Sequence, residues 1–560
     1  MSVLIRIRKN LEARLCEAAA KAQQAGRLTF DSLPSFILEV PREKQHGELA
    51  TNLAMVLARP ARMAPRKIAE ILIEFFDPAD TWVERMEIAG PGFINFFFGS
   101  GWLYLVPPEV AAQGERYGYQ PPGQREKVQV EFVSANPTGL LHIGHARGAA
   151  LGDTLANLLT AAGYQVTREF YINDAGNQIE KLGESLEARY LQALGQPVVF
   201  PEDGYHGEDL MVTVQNFRQQ HGNAYANDVS LTRREQLVQF ALEEKLAAIR
   251  ETLKHFGVEF EVWFSEQTLH NSGQVQQTLE ELQHREYLYE KDGAWWFRST
   301  DFGEEKDEVL VRRNGLPTYY AADIAYHRNK FARGFERVIN LWGADHHGHI
   351  ARMKGALAAL GQDPERLEVI LIQMVRLFQG GEQVRMSKRT GQYVTLEELL
   401  EEVGRDAARY FFVMRAPESH LDFDLDLAKA QTNENPVYYI QYAHARICSI
   451  FRQAEEAGIT LPTMEATDLE RLQEPAELEL LSKIAALPVE IQEAAEAREP
   501  HRLARYAHEL ASLFHSYYNA YRVLVEDLEL RQARLILVQT VQMTLRSVLF
   551  ILGINAPIRM

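Results

Sequence analysis

The segment 127–163 constrains the fold more than any other part of this sequence, because it has the pattern of a strand, a turn and a helix in direct succession. Apolar and polar residues alternate over 128–132, which is typical of a strand with one buried face. The residues Asn-Pro-Thr-Gly at 136–139 predict a loop. From Gly144 onward, alanine and leucine repeat at helical spacing until Gly163, which suits the position after a helix end.

The start of the predicted helix has chemistry that suits a phosphate group. Backbone N–H groups without partners and the positive end of the helix dipole attract anions at this position. His142 and His145 can donate hydrogen bonds to phosphoryl oxygens, and Gly144 leaves the backbone open to a flat base. Strand-to-helix turns with a nearby histidine also occur as ordinary structure, so this pattern alone supports both interpretations.

Further apolar runs indicate that the first strand belongs to a parallel sheet. Strand, helix and strand in succession form a right-handed unit in which both strands run parallel. Open sheets of this kind bind ligands at the carboxyl ends of their strands. We therefore predict a Rossmann-type α/β catalytic domain. Its predicted strands are 128–132, 166–172, 338–342 and 367–373.

Two polar clusters follow these strands. The first, 173–178, suits either a pocket wall or an Asx-turn that caps the next helix. The second, 343–349, contains an aspartate and three histidines. Zinc would need ligands that converge from other segments, and the sequence offers no supporting pair, so we predict a nucleotide-facing loop and no metal site.

The chain is long enough for several domains. Residues 1–120 predict a separate small α/β domain, and 121–430 the catalytic α/β domain, with a polar insertion near 195–235. Residues 431–560 are helical throughout and predict an α-helical bundle.

Composition narrows the setting in which the protein works. Cys16 and Cys448 are the only cysteines, which excludes a disulfide framework and a four-cysteine zinc site. No uninterrupted apolar run reaches the ~18 residues of a membrane span, and the first residues lack the pattern of a signal peptide. We expect a cytosolic protein that does not bind membranes, and a monomer, since no interface pattern is evident.

The formal net charge of −18 does not favour a nucleic-acid partner, although a local basic surface can coexist with an acidic whole. Residues 455–499 carry twelve acidic side chains against three basic ones, whereas 500–560 carry seven basic side chains against four acidic ones. The latter part is therefore the better candidate surface for a nucleic acid. Its candidate residues are Arg502, Arg505 and Arg534.

A glycine-flanked basic loop spans 380–391. Its glycines permit movement, and Arg385, Lys388 and Arg389 place three cations on a short segment. Cations of this kind suit the departure of a charged phosphate group. On its own, such a loop is usually a solvated turn.

Several strings resemble those of one enzyme family. The string EFVSANPTGLLHIGHARG at 131–148 resembles the HIGH signature of class I aminoacyl-tRNA synthetases, in the version found in arginyl-tRNA synthetases. The string RMSKR at 385–389 resembles the paired KMSKS loop, with Arg385 in place of the first lysine. GELATN at 47–52 and LGINAPIRM at 552–560 resemble the amino-terminal and anticodon-binding domains of the same family.

The resemblance implies a two-step reaction. ATP, accompanied by Mg²⁺, and L-arginine would form arginyl-adenylate and pyrophosphate, after which the arginyl group would pass to the terminal ribose of tRNA-Arg. His142, His145 and Lys388 would be catalytic, and the ATP site would also include Gly144, Met386 and Ser387. The residues implied for arginine are Glu131, Ser134, Asn136, His145, Glu266, Tyr319 and Asp323. Arg352 stands where many members have glutamine and is not included.

Three alternatives remain open at this point. A class I synthetase for another amino acid would be expected to show zinc-binding cysteines or a large editing insertion. A nucleotidyltransferase of cofactor synthesis with a HIGH motif would be shorter and would lack the terminal helices. A tRNA-binding paralogue without catalysis is disfavoured by the intact His142, His145 and Lys388.

Overall fold

The computed structural model of the protein describes residues 2–41, 43–384 and 394–560. The amino-terminal part contains an antiparallel sheet in the order β1-β2-β4-β3, covered by three helices that share one hydrophobic core with it. Its elements are α1 Val3–Gln24, β1 Leu38–Glu39, β2 Leu49–Thr51, α2 Leu53–Ala61, α3 Pro65–Phe75, β3 Val83–Ala89 and β4 Phe93–Phe98, followed by α4 Val106–Gln113.

The central part alternates strands and helices, as the sequence predicts. The elements up to the insertion are β5 Lys127–Glu131, α5 Ile143–Ala161, β6 Gln165–Ile172, α6 Asn177–Ala193, α7 Glu208–His221, α8 Ser230–His255, β7 Val262–Ser265, α9 Glu266–Asn271 and α10 Gln274–His284. Those that follow are β8 Leu288–Lys291, β9 Ala294–Phe297, β10 Glu308–Val311, α11 Tyr319–Ala332, β11 Arg337–Gly343, α12 His349–Ala359, β12 Leu367–Ile372, β13 Val375–Gln379, β14 Glu382–Gln383, α13 Leu396–Val403, α14 Arg405–Val413, β15 Leu421–Asp424 and α15 Leu425–Lys429.

The main sheet has the strand order β12-β11-β5-β6-β7, and all its neighbouring strands run parallel. The chain starts at β5 in the centre, builds outward through β6 and β7, and then returns to add β11 and β12 on the other side. The strand order therefore reverses beside β5, which is where open α/β sheets form a ligand crevice. The predicted Rossmann-type fold is confirmed.

Smaller elements surround this sheet. A three-stranded antiparallel sheet has the order β10-β9-β8, and another, of mixed direction, has the order β14-β13-β15. The insertion contains α7, which packs with α6 and α8 around its own small core. Two details differ from the sequence pattern: α8 begins at Ser230, inside the polar insertion predicted near 195–235, and Leu49–Thr51 forms a short strand that the sequence did not predict.

The carboxyl-terminal part is the predicted helical bundle. Its helices are α16 Pro436–Glu456, α17 Pro475–Ala497, α18 His501–Ala520 and α19 Leu528–Leu552. Among the described residues, α19 is long and apolar enough to cross a membrane by length and composition, but 72% of its most apolar window is buried in the protein. A core helix passes the same test, and α19 packs against the other three bundle helices.

Arg409 joins this bundle to the catalytic sheet. Its fully buried guanidinium donates to the carbonyl of Leu552 at 3.0 Å and to Asp153 of α5 at 2.6 Å. The helix that carries the predicted phosphate site is therefore held directly against the end of the last bundle helix.

Candidate active site

A cavity of about 1220 Å³ opens at the carboxyl edge of the main sheet, beside its central strand. Its walls come from the loops after β5, β6, β11 and β12, from the start of α5 and from the first turns of α11. This is the edge at which the sequence predicted a ligand site. The predicted site residues that line it are Glu131, Ser134, Asn136, His142, Gly144, His145, Glu266, Tyr319 and Asp323.

His142 and His145 form a stacked pair at the start of α5, with ring centroids 3.7 Å apart and an interplanar angle of 26°. Nδ1 of His142 accepts a hydrogen bond from the Gly144 N–H at 3.1 Å, and Nδ1 of His145 accepts one from the His142 N–H at 3.2 Å. Because each Nδ1 is an acceptor, the proton of each neutral ring lies on Nε2.

Burial lowers the pKa of both imidazoles. The pKa of His145 falls to about 3, since burial is reinforced by the neighbouring His142. Both rings are therefore neutral at neutral pH, and each presents an Nε2–H donor at the positive end of a helix. Such donors can stabilise phosphoryl oxygens as negative charge develops.

The absence of a side chain at Gly144 leaves room for the His142 ring. A Cβ atom at this position would lie 3.0 Å from Cε1 and 3.1 Å from Nδ1 of the His142 ring. The direction in which a side chain would extend is thus occupied by imidazole, and the approach of a flat base to the backbone stays a prediction. An alanine at this position would require the His142 ring to shift by a few tenths of an ångström.

The start of α5 is bound to the chain that follows the predicted basic loop. The Ile143 N–H donates to the Val394 carbonyl at 3.2 Å, and the Leu396 N–H donates to the Leu141 carbonyl at 2.8 Å. Val384 and Val394 both line the cavity. The loop residues predicted to bind ATP, Met386, Ser387 and Lys388, lie outside the described residues.

Glu266 begins α9 directly after β7 and is the most deeply buried carboxylate of the cavity wall, with 3% of its surface exposed. It forms a hydrogen bond with the Tyr171 hydroxyl, and Nε2 of His270 lies 3.4 Å from its Oε1. Burial raises the pKa of Glu266, and the nearby Asp323 carboxylate adds to the rise.

Asp174 fixes the turn from which Glu266 projects. Its carboxylate accepts hydrogen bonds from Oγ of Ser265 at 2.6 Å and from the Gln267 N–H at 2.9 Å. Its neighbour Asn173 lines the cavity. The predicted polar cluster 173–178 therefore forms part of the pocket wall, but the predicted cap is wrong. α6 follows Gly176 without a side-chain cap, and Asp174 instead holds the turn before α9.

Tyr319 and Asp323 occupy successive turns of α11 and both line the cavity, as their spacing predicted. Nε2 of His349 lies 3.3 Å from Oδ2 of Asp323. The Tyr319 ring packs over Gly176, where a Cβ atom would approach it to 3.1 Å. Tyr319 is 41% exposed and so forms the outer wall.

Glu131, the third predicted acid, has a different environment. It ends β5, is 7% exposed, and accepts hydrogen bonds from the fully buried Lys330 ammonium and, at 3.0 Å, from Ser134 Oγ. In contrast, the described ion pairs include no lysine or arginine partner for Glu266 or Asp323.

Sequence reasoning missed the cavity residues Tyr171 and Trp342, whereas Asp345, His346 and His349 of the predicted loop 343–349 do line the cavity. Tyr171 and Trp342 lie at the ends of β6 and β11, so their positions on predicted strands were the available signal. Arg352, which was excluded, does not line the cavity, and its Nε lies 3.4 Å from Glu304. Within the described chain, no three His, Cys, Asp or Glu side chains gather as a metal site requires.

The predicted tRNA-binding arginines have three different environments. Arg534 is 6% exposed and donates to Glu477 at 2.8 Å and to the Arg522 carbonyl, so its predicted direct contact with tRNA is incompatible with its position. Arg502 is held by Glu490 and two further carboxylates. The Arg505 side chain is 62% exposed, and its ion pair among the described residues is a 3.9 Å contact with Glu509.

Family models match three parts of the chain. A model described as the arginyl tRNA synthetase N terminal domain matches residues 7–98. A model of the class I tRNA synthetase (R) catalytic domain matches residues 108–423, and a DALR anticodon binding domain matches residues 440–560.

Individual proteins resemble the chain over its full length. Arginine–tRNA ligases of Moorella thermoacetica and Desulfitobacterium hafniense are each 62% identical to it, and each comparison covers 100% of both chains. The solved structure of the Thermus thermophilus arginyl-tRNA synthetase superposes with a TM-score of 0.76 at 25% identity, covering 98% of this chain and 100% of that one.

Proposed function

The chain belongs to the arginyl-tRNA synthetase family, and on that premise we propose how its cavity accommodates the two small substrates. The enzyme activates L-arginine with ATP to arginyl-adenylate and transfers the arginyl group to the terminal ribose of tRNA-Arg, which releases AMP and pyrophosphate. We place the ATP phosphates at the start of α5 and the arginine side chain between Glu266 and Asp323.

The backbone of α5 and the two histidines at its start support the phosphate assignment. The first turn of α5 supplies backbone N–H groups and the positive end of its dipole. His142 and His145 are neutral and carry their protons on Nε2, so they can donate to phosphoryl oxygens. ATP enters as its Mg²⁺ complex, so the metal arrives with the substrate.

The arginine assignment rests on one observation in particular. Glu266 and Asp323 face the cavity, and their described ion pairs are with histidines only, so they can bind a cationic substrate. A guanidinium ion satisfies two carboxylates with directed hydrogen bonds. A neutral side chain would leave both acids without a cation in a partly dry site. Tyr319 forms the outer wall, and Ser134 and Asn136, which line the same cavity, contact the amino acid.

The chemistry then follows from placement. An oxygen of the arginine carboxylate attacks the α-phosphorus of ATP, and the bond to the bridging oxygen of pyrophosphate breaks. His142 and His145 stabilise the charge that develops on the phosphoryl oxygens, and Lys388 binds the departing pyrophosphate. In the second step, a ribose hydroxyl of tRNA attacks the arginyl carbonyl carbon, and AMP leaves. The enzyme needs only positioning and charge stabilisation for both steps.

The proposal extends to the tRNA-binding surface and to the state in which the enzyme works. The exposed Arg505 contributes to tRNA binding on the bundle, with Arg502 beside it. The enzyme acts as a monomer in the cytosol, without a tightly bound metal.

The decisive experiment is ATP–pyrophosphate exchange with each amino acid, with and without tRNA-Arg. We expect exchange with arginine alone, and only when tRNA is present. His142→Ala and Lys388→Ala should each reduce exchange strongly, whereas His284→Ala, at an exposed position on α10, serves as the matched control. Exchange with another amino acid, or full activity of His142→Ala, would contradict the assignment.

A further inference from the structure

Lys330 occupies an unusual position beneath the cavity. Its side chain is fully buried, and its ammonium donates to Oε2 of Glu131 and, at 2.9 Å, to Oδ1 of Asn340. The same ammonium lies 4.3 Å from the centre of the Tyr326 ring. A buried lysine is costly unless its charge is compensated, so this arrangement requires an ionised Glu131.

Hydrogen bonds lead from Lys330 to one wall of the arginine pocket. Nδ2 of Asn340 donates to Nε2 of His327 at 2.8 Å, and Nδ1 of His327 donates to the Asp323 carbonyl at 2.8 Å. This chain assigns the proton of the neutral imidazole to Nδ1. It connects the ammonium to the backbone of one of the proposed guanidinium receptors.

A second set of contacts leads from Glu131 to the loop after β5 and to Tyr171 of β6. Glu131 accepts from Ser134 Oγ at 3.0 Å, and the same Oγ accepts from the Tyr171 N–H at 3.1 Å. Val133 and Ser134 have φ values of 66° and 40°, in the left-handed region that non-glycine residues rarely adopt. Such strain persists only when neighbouring contacts hold it, and Glu131 supplies one of them.

We propose that Lys330 is a positioning residue that sets the charge and the shape of the arginine pocket. It neutralises Glu131 and commits this carboxylate to the left-handed turn at Ser134. The substrate guanidinium is then bound by Glu266 and Asp323, while Glu131 acts through the backbone that it holds. This inference rests on the proposed arginine site, and it changes the role that the family resemblance implied for Glu131.

A double-mutant cycle tests the proposal. Lys330→Met leaves Glu131 without its partner, and Glu131→Gln leaves an unpaired ammonium beneath a cationic substrate. Each single variant should raise the arginine KM about tenfold or more, with the KM for ATP unchanged. The double variant Lys330→Met/Glu131→Gln is neutral, and its amide oxygen can still accept from Ser134. Its arginine KM should return to within about threefold of the wild-type value.

The alternative is that Glu131 binds the guanidinium directly. In that case the double variant is at least as impaired as Glu131→Gln alone, and this result would overturn the proposal. Competition between arginine and its neutral analogue citrulline tests the proposal on the double variant by itself, because it measures how well the pocket selects the cationic side chain. Discrimination close to that of the wild type supports the proposal, and its loss contradicts it. A double variant that fails to fold would also contradict it, because a neutral pair of similar size is expected to fold.

A neighbouring ion pair provides the matched control. Arg333, which caps the same helix, binds the fully buried Glu169 of β6, and neither residue lines the cavity. Arg333→Met should lower the unfolding temperature without changing the arginine KM. If the wild-type enzyme shows no arginine-dependent exchange, the proposed function fails, whereas wild-type activity without rescue in the double variant refutes only the role of Lys330.

Discussion

Glu266→Gln separates the charge of the proposed arginine receptor from its shape. The residue is 3% exposed, lies in the cavity wall, and is held by Tyr171 and by the turn that Asp174 fixes. The amide has nearly the same volume as the carboxylate and can still accept from the Tyr171 hydroxyl. The substitution therefore removes one negative charge and leaves the wall in place.

The expected loss follows from the burial of this carboxylate. Removing one partner of a buried, hydrogen-bonded charge pair costs 2–5 kcal/mol or more, and an isosteric amide that keeps one hydrogen bond belongs at the lower end, about 2–3 kcal/mol. At 1.4 kcal/mol per factor of ten, the arginine KM should rise about 30- to 150-fold. The KM for ATP should not change, because Glu266 follows β7, whereas His142 and His145 follow β5, two strands away in the sheet.

The same substitution should not destabilise the protein. Burial raises the pKa of Glu266 in the folded state, with Asp323 adding to the rise. The folded state therefore binds this proton more tightly than the unfolded state, so ionised Glu266 lowers stability as pH rises above the ordinary glutamate pKa. Glu266→Gln removes this penalty, and its unfolding temperature at neutral pH should equal or exceed that of the wild type.

The pH dependence of binding has the opposite sign. Arginine binds the ionised carboxylate, so the wild-type arginine KM should rise as pH falls through the raised pKa, and Glu266→Gln should lack this component. Steady-state exchange across pH, together with thermal unfolding, measures both effects. Glu304→Gln is the control, because Glu304 pairs with Arg352 away from the cavity. An unchanged arginine KM in Glu266→Gln would refute the assignment, and so would a fall in kcat alone.

Three further predictions concern the start of α5 and two arginines of the bundle. Gly144→Ala should lower kcat for exchange about tenfold or more with little change in the arginine KM, because the added Cβ displaces the His142 ring; normal turnover would contradict this account. Arg534→Met should lower the stability by about 3–5 kcal/mol, because it leaves buried Glu477 unpaired. Arg505→Glu should instead weaken tRNA binding without lowering the unfolding temperature, and the reverse pattern for these two arginines would refute the distinction.

The parallel sheet could be predicted because its signals are local. Each strand around β5 is a short apolar run followed by polar residues, and each following helix has apolar residues at regular spacing. Short antiparallel strands such as Leu49–Thr51 have no comparable signal, since three residues show no period and their pairing partner, β4, is distant in sequence. The early start of α8 reflects a polar first turn that resembles a loop.

The sequence could not predict which charged side chains are available to a ligand, because ion pairing is a property of the folded state. Arg534 and Arg505 look alike in the sequence, yet one is buried against Glu477 and the other is mostly exposed. Glu131 and Glu266 were likewise predicted for the same purpose, although only Glu131 is paired with a lysine, 199 residues away along the chain. Composition and spacing indicate which charges exist, and packing decides which of them a ligand can reach.

The connection between β5 and α5 aligns the two small substrates with each other. It begins at Glu131, passes through the left-handed turn at Val133 and Ser134, and ends at the His142 and His145 pair. The arginine carboxylate must meet the α-phosphorus with an error well below 1 Å, because a displacement of that size can cost a factor of about 100 in rate. A single short connection limits this error, since both substrates are aligned by the same few backbone bonds. The buried Lys330 ammonium, through Glu131, then fixes the strained end of the connection, which places the register of the two substrates under the control of a residue that touches neither.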